Sequence, residues 1–130
     1  MKTFTVPVTI RYSDIDMNGH VNNAVYFTYM ENARTELLFN DFTYYLERNI
    51  LFIIAEANCR YKRPILLNDN IVCDMNFELL SPLRISVSYY FRNIDSDSLH
   101  AKGRTIMVMV NNKTNRPVAI PQELINRMTD

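Results

Sequence analysis

The feature that most constrains this chain is a change of period. One stretch repeats every 3.6 residues, and nearly everything after residue 50 repeats every two. Tyr26, Met30, Ala33 and Leu37 follow one another at steps of four, three and four, which sets them on one face of a helix. Phe27, Tyr29 and Leu38 widen that face. Asn22 or Asn23 offers a side-chain oxygen to the free amides of the first turn, so the helix is expected at about 24–39. Residues 40–50, with Phe42, Tyr44, Tyr45 and Leu46, either extend it or form a short second helix.

The rest reads as strands. Residues 3–12 alternate Phe4, Val6, Val8, Ile10 and Tyr12 with polar neighbours, and Pro7, which has no N–H, predicts an edge or a bulge. Ile53, Ala55, Ala57, Cys59 and Tyr61 form the apolar set of a second run, which Pro64 ends. Ile71 to Leu79 and Ile85 to Phe91 alternate in the same way, separated by Ser81-Pro82. Asp95-Ser96-Asp97-Ser98 makes a hairpin turn into a strand over 99–110, apolar on both faces at its end and therefore expected to be central and covered on both sides. Asn111 to Asn115 turns the chain again, and Pro121 opens a short helix over 121–128. Tight turns favour antiparallel pairing. One early helix and five or six such strands predict an α+β fold, a curved antiparallel sheet wrapped around the helix.

At 130 residues, with no linker or repeat, residues 1–130 read as a single domain. Fourteen basic residues balance fourteen acidic ones, which argues against nucleic acid or an acidic membrane as partner. No run approaches the roughly 18 apolar residues of a membrane span, and Met1 to Pro7 lacks the apolar core of a secretory signal. Cys59 and Cys73 are too few for a disulfide scaffold and fall on apolar strand sets, so a cytoplasmic setting is expected. A net charge of zero protects a lone monomer poorly, which favours an oligomer.

Chemistry concentrates in Asp14-Ile15-Asp16-Met17-Asn18-Gly19-His20-Val21-Asn22-Asn23, just before the helix. Two carboxylates, an imidazole and three amides lie within ten residues. First-turn amides have no intrahelical acceptor and carry the positive end of the helix dipole, so they can hold a carbonyl oxygen as it gains charge. A carboxylate beside them can attack the carbon or activate water. His20 brings an imidazole, a side chain type suited to proton transfer. Arg60, Lys62 and Arg63 make a basic cluster at a strand end, suited to an anionic partner. His20 and His100 are far apart in sequence and no Cys/His spacing resembles a zinc site, so no metal is expected.

The segment from Arg11 to Tyr26, continuing through Tyr29-Met30-Glu31-Asn32-Ala33-Arg34, resembles the signature of hotdog-fold acyl thioesterases. These are the 4-hydroxybenzoyl-CoA thioesterase-like enzymes and their relatives acting on acyl carrier protein. Tyr61-Lys62-Arg63-Pro64-Ile65 with Asp69 resembles a second segment of that family. The resemblance implies hydrolysis of acyl-CoA or acyl-carrier-protein thioesters without a cofactor, in a homodimer or homotetramer. It implies that Asp16 is the catalytic carboxylate, as nucleophile or general base, and that the amide near Asn23 polarises the carbonyl. The spacing of Asp16, Asn18 and His20 also resembles plant-type acyl-carrier-protein thioesterases, in which those positions are catalytic. Those enzymes carry two repeats where this chain has one. Asn22, Gly19 and Tyr26 are expected around the carbonyl, Phe27 and Tyr29 beside an acyl tunnel, and Arg60, Lys62 and Arg63 on CoA or the carrier. Asp14 reads as a turn former. The alternative is a non-catalytic hotdog module that binds acyl-CoA or a protein. A dehydratase would need an acid and a base flanking C2 and C3 of the substrate, which this segment does not supply.

Overall fold

The computed structural model describes residues 1–130. In chain order the elements are β1 (Phe4–Pro7), a 3-10 turn (Tyr12–Asp14), α1 (Val25–Leu46), β2 (Ile50–Tyr61), β3 (Ile71–Ser81), β4 (Arg84–Asn93), β5 (Leu99–Asn111), β6 (Arg116–Val118) and α2 (Gln122–Met128). The strands form one sheet in the order β1-β3-β4-β5-β2, with β6 also pairing β5, and every pairing is antiparallel. The expected α+β architecture of one long helix against an antiparallel sheet is present.

α1 lies on the sheet through Tyr26, Tyr29, Met30 and Ala33, all buried, in a core shared with Cys73, Met75, Phe77, Val87, Tyr89 and Phe91. Met30 sits so close to β5 that a Cβ on Gly103 would lie 2.1 Å from its Cε. A glycine in mid-strand here is the imprint of the helix passing over it.

Four expectations change. The strand expected over 3–12 stops at Pro7; Val8 adds one further bond, its N–H to the Ile71 carbonyl at 2.9 Å, before the chain leaves the sheet. β1 is an edge strand, as Pro7 predicts. The helix runs past 39 to Leu46, the extension that residues 40–50 offered, and it breaks at Leu38 (φ −110°, ψ 16°). That break turns Leu38 fully inward and leaves Leu37 half-buried, where an unbroken 3.6 period would bury Leu37. In β2 the register shifts between Ile54 and Glu56, a bulge at Ala55. Phe52 and Ile54 therefore share the core side with Cys59, while Ile53 is exposed. β5 is interior to the sheet as expected, but its outer face is covered only in part: Ile106 is buried, whereas Lys102 and Arg104 stand exposed.

A polar clasp crosses three strands. Asp74 on β3 accepts a hydrogen bond from Thr5 Oγ1 at 2.6 Å and two from Arg92, at 2.8 and 3.3 Å. Hydrogen bonding from Arg92, reinforced by Thr5, holds the Asp74 carboxyl below its ordinary range. A depressed folded-state pKa adds stability that is complete above the unfolded value of about 3.9 and is lost as pH falls through the lower folded value. Asp74→Asn is thus expected to lower the melting temperature at neutral pH, with the deficit closing in acid, below the unfolded carboxylate value. A deficit of equal size at both ends of that range would assign the loss to packing instead.

Candidate active site

The loop before α1 is shaped by its own side chains. Asp14 accepts the Arg11 N–H at 2.9 Å and the Tyr29 hydroxyl at 2.6 Å, which ties the loop to the helix. Burial, reinforced by Asp14, pushes the Tyr29 hydroxyl pKa up, so it stays a donor. Asp14 is the turn former that its position suggests, and Tyr29 is buried and bonded where a tunnel wall was expected; Phe27 lies partly exposed.

Asp16 is half-buried. Its Oδ1 accepts the amides of Asn18 at 2.9 Å and His20 at 3.3 Å, closing a tight turn in which the Gly19 amide donates to the Asp16 carbonyl. Gly19 has φ +79°, a conformation that L side chains resist, which explains a glycine at this point. The Asp16 Oδ2 atom carries no bond within the protein. One oxygen holds the loop and the other is free.

The expected Asn22 or Asn23 cap is not formed, since the N-cap position is Ala24 and has no side-chain cap; Asn22 instead closes an Asx turn just ahead of the helix, its Oδ1 accepting the Ala24 amide at 2.9 Å and its carbonyl that of Val25 at 3.0 Å. The Asn23 and Tyr26 amides find no acceptor in the chain. Both residues line a cleft of about 280 Å³ with Asp16, Asn18, His20, Val21, Tyr61, Lys62, Arg63 and Pro64. Gly19 and Asn22 do not line it; they shape the loop from behind. Arg60 is also absent, so the expected basic cluster is divided. β2 ends at Tyr61, where the Lys62 and Arg63 amides turn to the His100 carbonyl at 2.9 and 3.0 Å, and Arg60 is left on the outer face of the sheet.

Tyr61 has no assigned role in the sequence reading, yet it sits at the centre of this wall. Its hydroxyl donates to the Asn23 carbonyl at 2.7 Å, and its ring meets Tyr26 edge-on at 4.8 Å. It is a positioning residue for the peptide that follows the free Asn23 amide. Burial raises the pKa of both Tyr26 and Tyr61, keeping their hydroxyls protonated at neutral pH. The opposite wall is pinned by the Val21 amide on the Ile65 carbonyl at 2.9 Å and by His100 Nδ1, 3.0 Å from the Pro64 carbonyl. A carbonyl only accepts, so Nδ1 carries the proton. The nearest legible signal for this wall is the Tyr61 to Ile65 segment itself.

A carboxylate oxygen with no internal partner and unpaired amides at a helix start now face one cleft. A family model, the thioesterase-like superfamily, matches residues 10–128. The chain belongs to that superfamily. This superfamily member is 26% identical over 123 residues to the long-chain acyl-CoA thioesterase FadM of Escherichia coli K12, covering 93% of each chain. It is 27% identical over 127 residues to the acyl-CoA thioester hydrolase YbgC of Escherichia coli O6:H1, covering 94% of this chain and 92% of that one. Among solved structures, its fold superimposes with a TM-score of 0.88 on Slr0204, a 1,4-dihydroxy-2-naphthoyl-CoA thioesterase from Synechocystis, at 17% identity, covering 98% and 96% of the two chains. At that identity the likeness speaks for the hotdog fold alone.

Proposed function

We infer that this thioester hydrolase cleaves acyl-CoA in the cleft between Asp16 and the start of α1. The observation that carries the reading is the pairing of a carboxylate oxygen free of internal bonds with the unsatisfied Asn23 amide in one cleft. The thioester oxygen accepts from the Asn23 N–H, helped by the helix dipole. Asp16 then either removes a proton from water as it adds to the carbon or adds to the carbon itself. The tetrahedral intermediate collapses with cleavage of the C–S bond, and the thiolate takes a proton to leave as the thiol. In the second route water hydrolyses the acyl-Asp16 anhydride. His20 and Asn18, whose side chains have no partner within the protein, position the water or the carboxylate, while Tyr61 keeps the Asn23 peptide in place.

Lys62 and Arg63 line the cleft and suit the anionic part of the leaving group, whether CoA or a carrier protein. The open edge of β2 supports a homodimer or homotetramer: it has no partner strand over twelve residues, a length of open edge that folded proteins cover or pair. No helix of the chain is long and apolar enough to cross a membrane. The two cysteines are free thiols, consistent with a cytoplasmic setting.

The deciding measurement is thiol release, followed with an aryl disulfide reporter, across short, long and aromatic acyl-CoAs and the matching acyl-carrier-protein substrates. Saturable turnover on at least one acyl-CoA is expected. Saturable binding with no thiol released from any substrate would replace the hydrolase with an acyl-CoA-binding module.

A further inference from the structure

A second hollow, of about 340 Å³, adjoins the cleft: His20, Arg63 and Pro64 line both. Its other walls come from Asp69, Asn93, Ser96 and His100, with Leu66 the one aliphatic side chain. Most of these polar groups are engaged within the chain. Asp69 Oδ2 accepts the Leu66 amide at 2.8 Å, Asn93 Oδ1 accepts the amides of Asp95 and Ser96 at 2.9 and 3.3 Å, and Ser96 Oγ lies 2.6 Å from Ser98 Oγ. His100 is the exception. It is 3% exposed, its Nδ1–H is engaged by the Pro64 carbonyl, and its Nε2, also buried, finds no partner within the protein. With the proton on Nδ1, Nε2 is an acceptor that calls for an N–H or O–H donor. Leaving such an acceptor unmet costs more than an ordinary hydrogen bond gains.

The lining indicates what that donor is. Arg63 and Asp69 bring one charge of each sign, which favours neither an anion nor a cation, and a single aliphatic side chain gives no seat to an apolar group. Water is the small neutral donor that suits such a hollow, and at about 30 Å³ per molecule there is room for about ten. Hydrolysis consumes one water per thioester, while a thioester seated in a cleft of about 280 Å³ displaces the water already there. The shared wall gives the replacement a route that substrate does not block. We propose that His100 Nε2 anchors water in this hollow and that His20, which borders both spaces, passes it to the free Asp16 oxygen. His100 is then a positioning residue for the attacking water. This inference rests on the cleft being where the thioester is cleaved.

The test separates the two ring nitrogens of His100 in the full chain. Asparagine carries an amide N–H where Nδ1 stands and nothing at Nε2, whereas glutamine reaches the Nε2 position and leaves the Pro64 carbonyl unmet. His100→Asn is expected to lower kcat on the best acyl-CoA about tenfold, the effect of one hydrogen bond, with KM and melting temperature level. His100→Gln is expected to keep kcat within about twofold and to melt at a lower temperature. Ser96→Leu, which fills the hollow from an exposed position outside the cleft, is expected to lower kcat with KM level. A crystal structure of the unaltered chain is expected to hold a water within about 3.2 Å of Nε2. A dry Nε2, full kcat in His100→Asn or in Ser96→Leu, or a loss in His100→Asn that falls on KM instead of kcat would each overturn the proposal. Equal losses of kcat in the asparagine and glutamine variants would also overturn it, leaving His100 as a packing residue alone. Should His100→Asn fail to fold, Ser96→Leu and the water at Nε2 decide the question. No thiol release by the unaltered chain from any acyl-CoA would instead sink the hydrolase reading, and this inference with it.

Discussion

Asp16→Asn is expected to lower kcat by about 10²–10⁴ on the best acyl-CoA substrate, the range that loss of a general base or nucleophilic carboxylate commands. The geometry makes this substitution unusually clean. The Asp16 Oδ1 atom accepts the Asn18 and His20 amides, and an asparagine oxygen can accept both. What disappears is the charged second oxygen, which no group in the protein engages. The loop, the Gly19 turn and the Asn22 turn should therefore survive, with melting temperature and KM little altered. Asp16→Ala is the less informative change, because it also removes the acceptor that closes the turn. Near-normal turnover by the asparagine variant would remove Asp16 from the reaction whatever else the cleft binds.

Phe91→Ala is expected to cost about 3–5 kcal/mol of folding stability, a large share of the roughly 5–15 kcal/mol typical of a whole domain. Phe91 is fully buried on β4, with its ring edge-on to Tyr26 at 5.8 Å and tilted against Tyr29 at 6.4 Å. Tyr26 in turn meets Tyr61, so Phe91 is the floor beneath the helix start and the cleft wall together. Truncation leaves a cavity that two helix-anchored tyrosines cannot collapse into, since Tyr29 is tethered to Asp14. Urea unfolding checks this directly: the midpoint should fall with the slope unchanged. A loss below about 1 kcal/mol would show that the site refills and that the helix start is seated elsewhere.

Much of this molecule follows from local pattern. The two periods, 3.6 in one stretch and two in the others, place α1 and the strands because a helix and a strand distribute side chains over their faces in those periods wherever they sit. The loop that carries Asp16 was legible for a similar reason: the Asx turns at Asp16 and Asn22 and the left-handed Gly19 are features within a few residues of one another. Such bonds depend on short-range geometry, which sequence encodes directly.

Tertiary packing decided what depended on distant partners. The break at Leu38 and the bulge at Ala55 each shift a periodic pattern by a residue, so that Leu38 in place of Leu37, and Ile54 in place of Ile53, meets the core. A repeat read along the chain assumes an unbroken element and carries no mark of where packing interrupts it. Arg60, Lys62 and Arg63 looked like one cluster, but the strand end at Tyr61 and the amide bonds to His100 send them to different faces. Tyr61 acquired its place only when a residue 38 positions earlier offered its carbonyl. His100 met the cleft wall across 36 residues of chain, a meeting that only the closed sheet specifies.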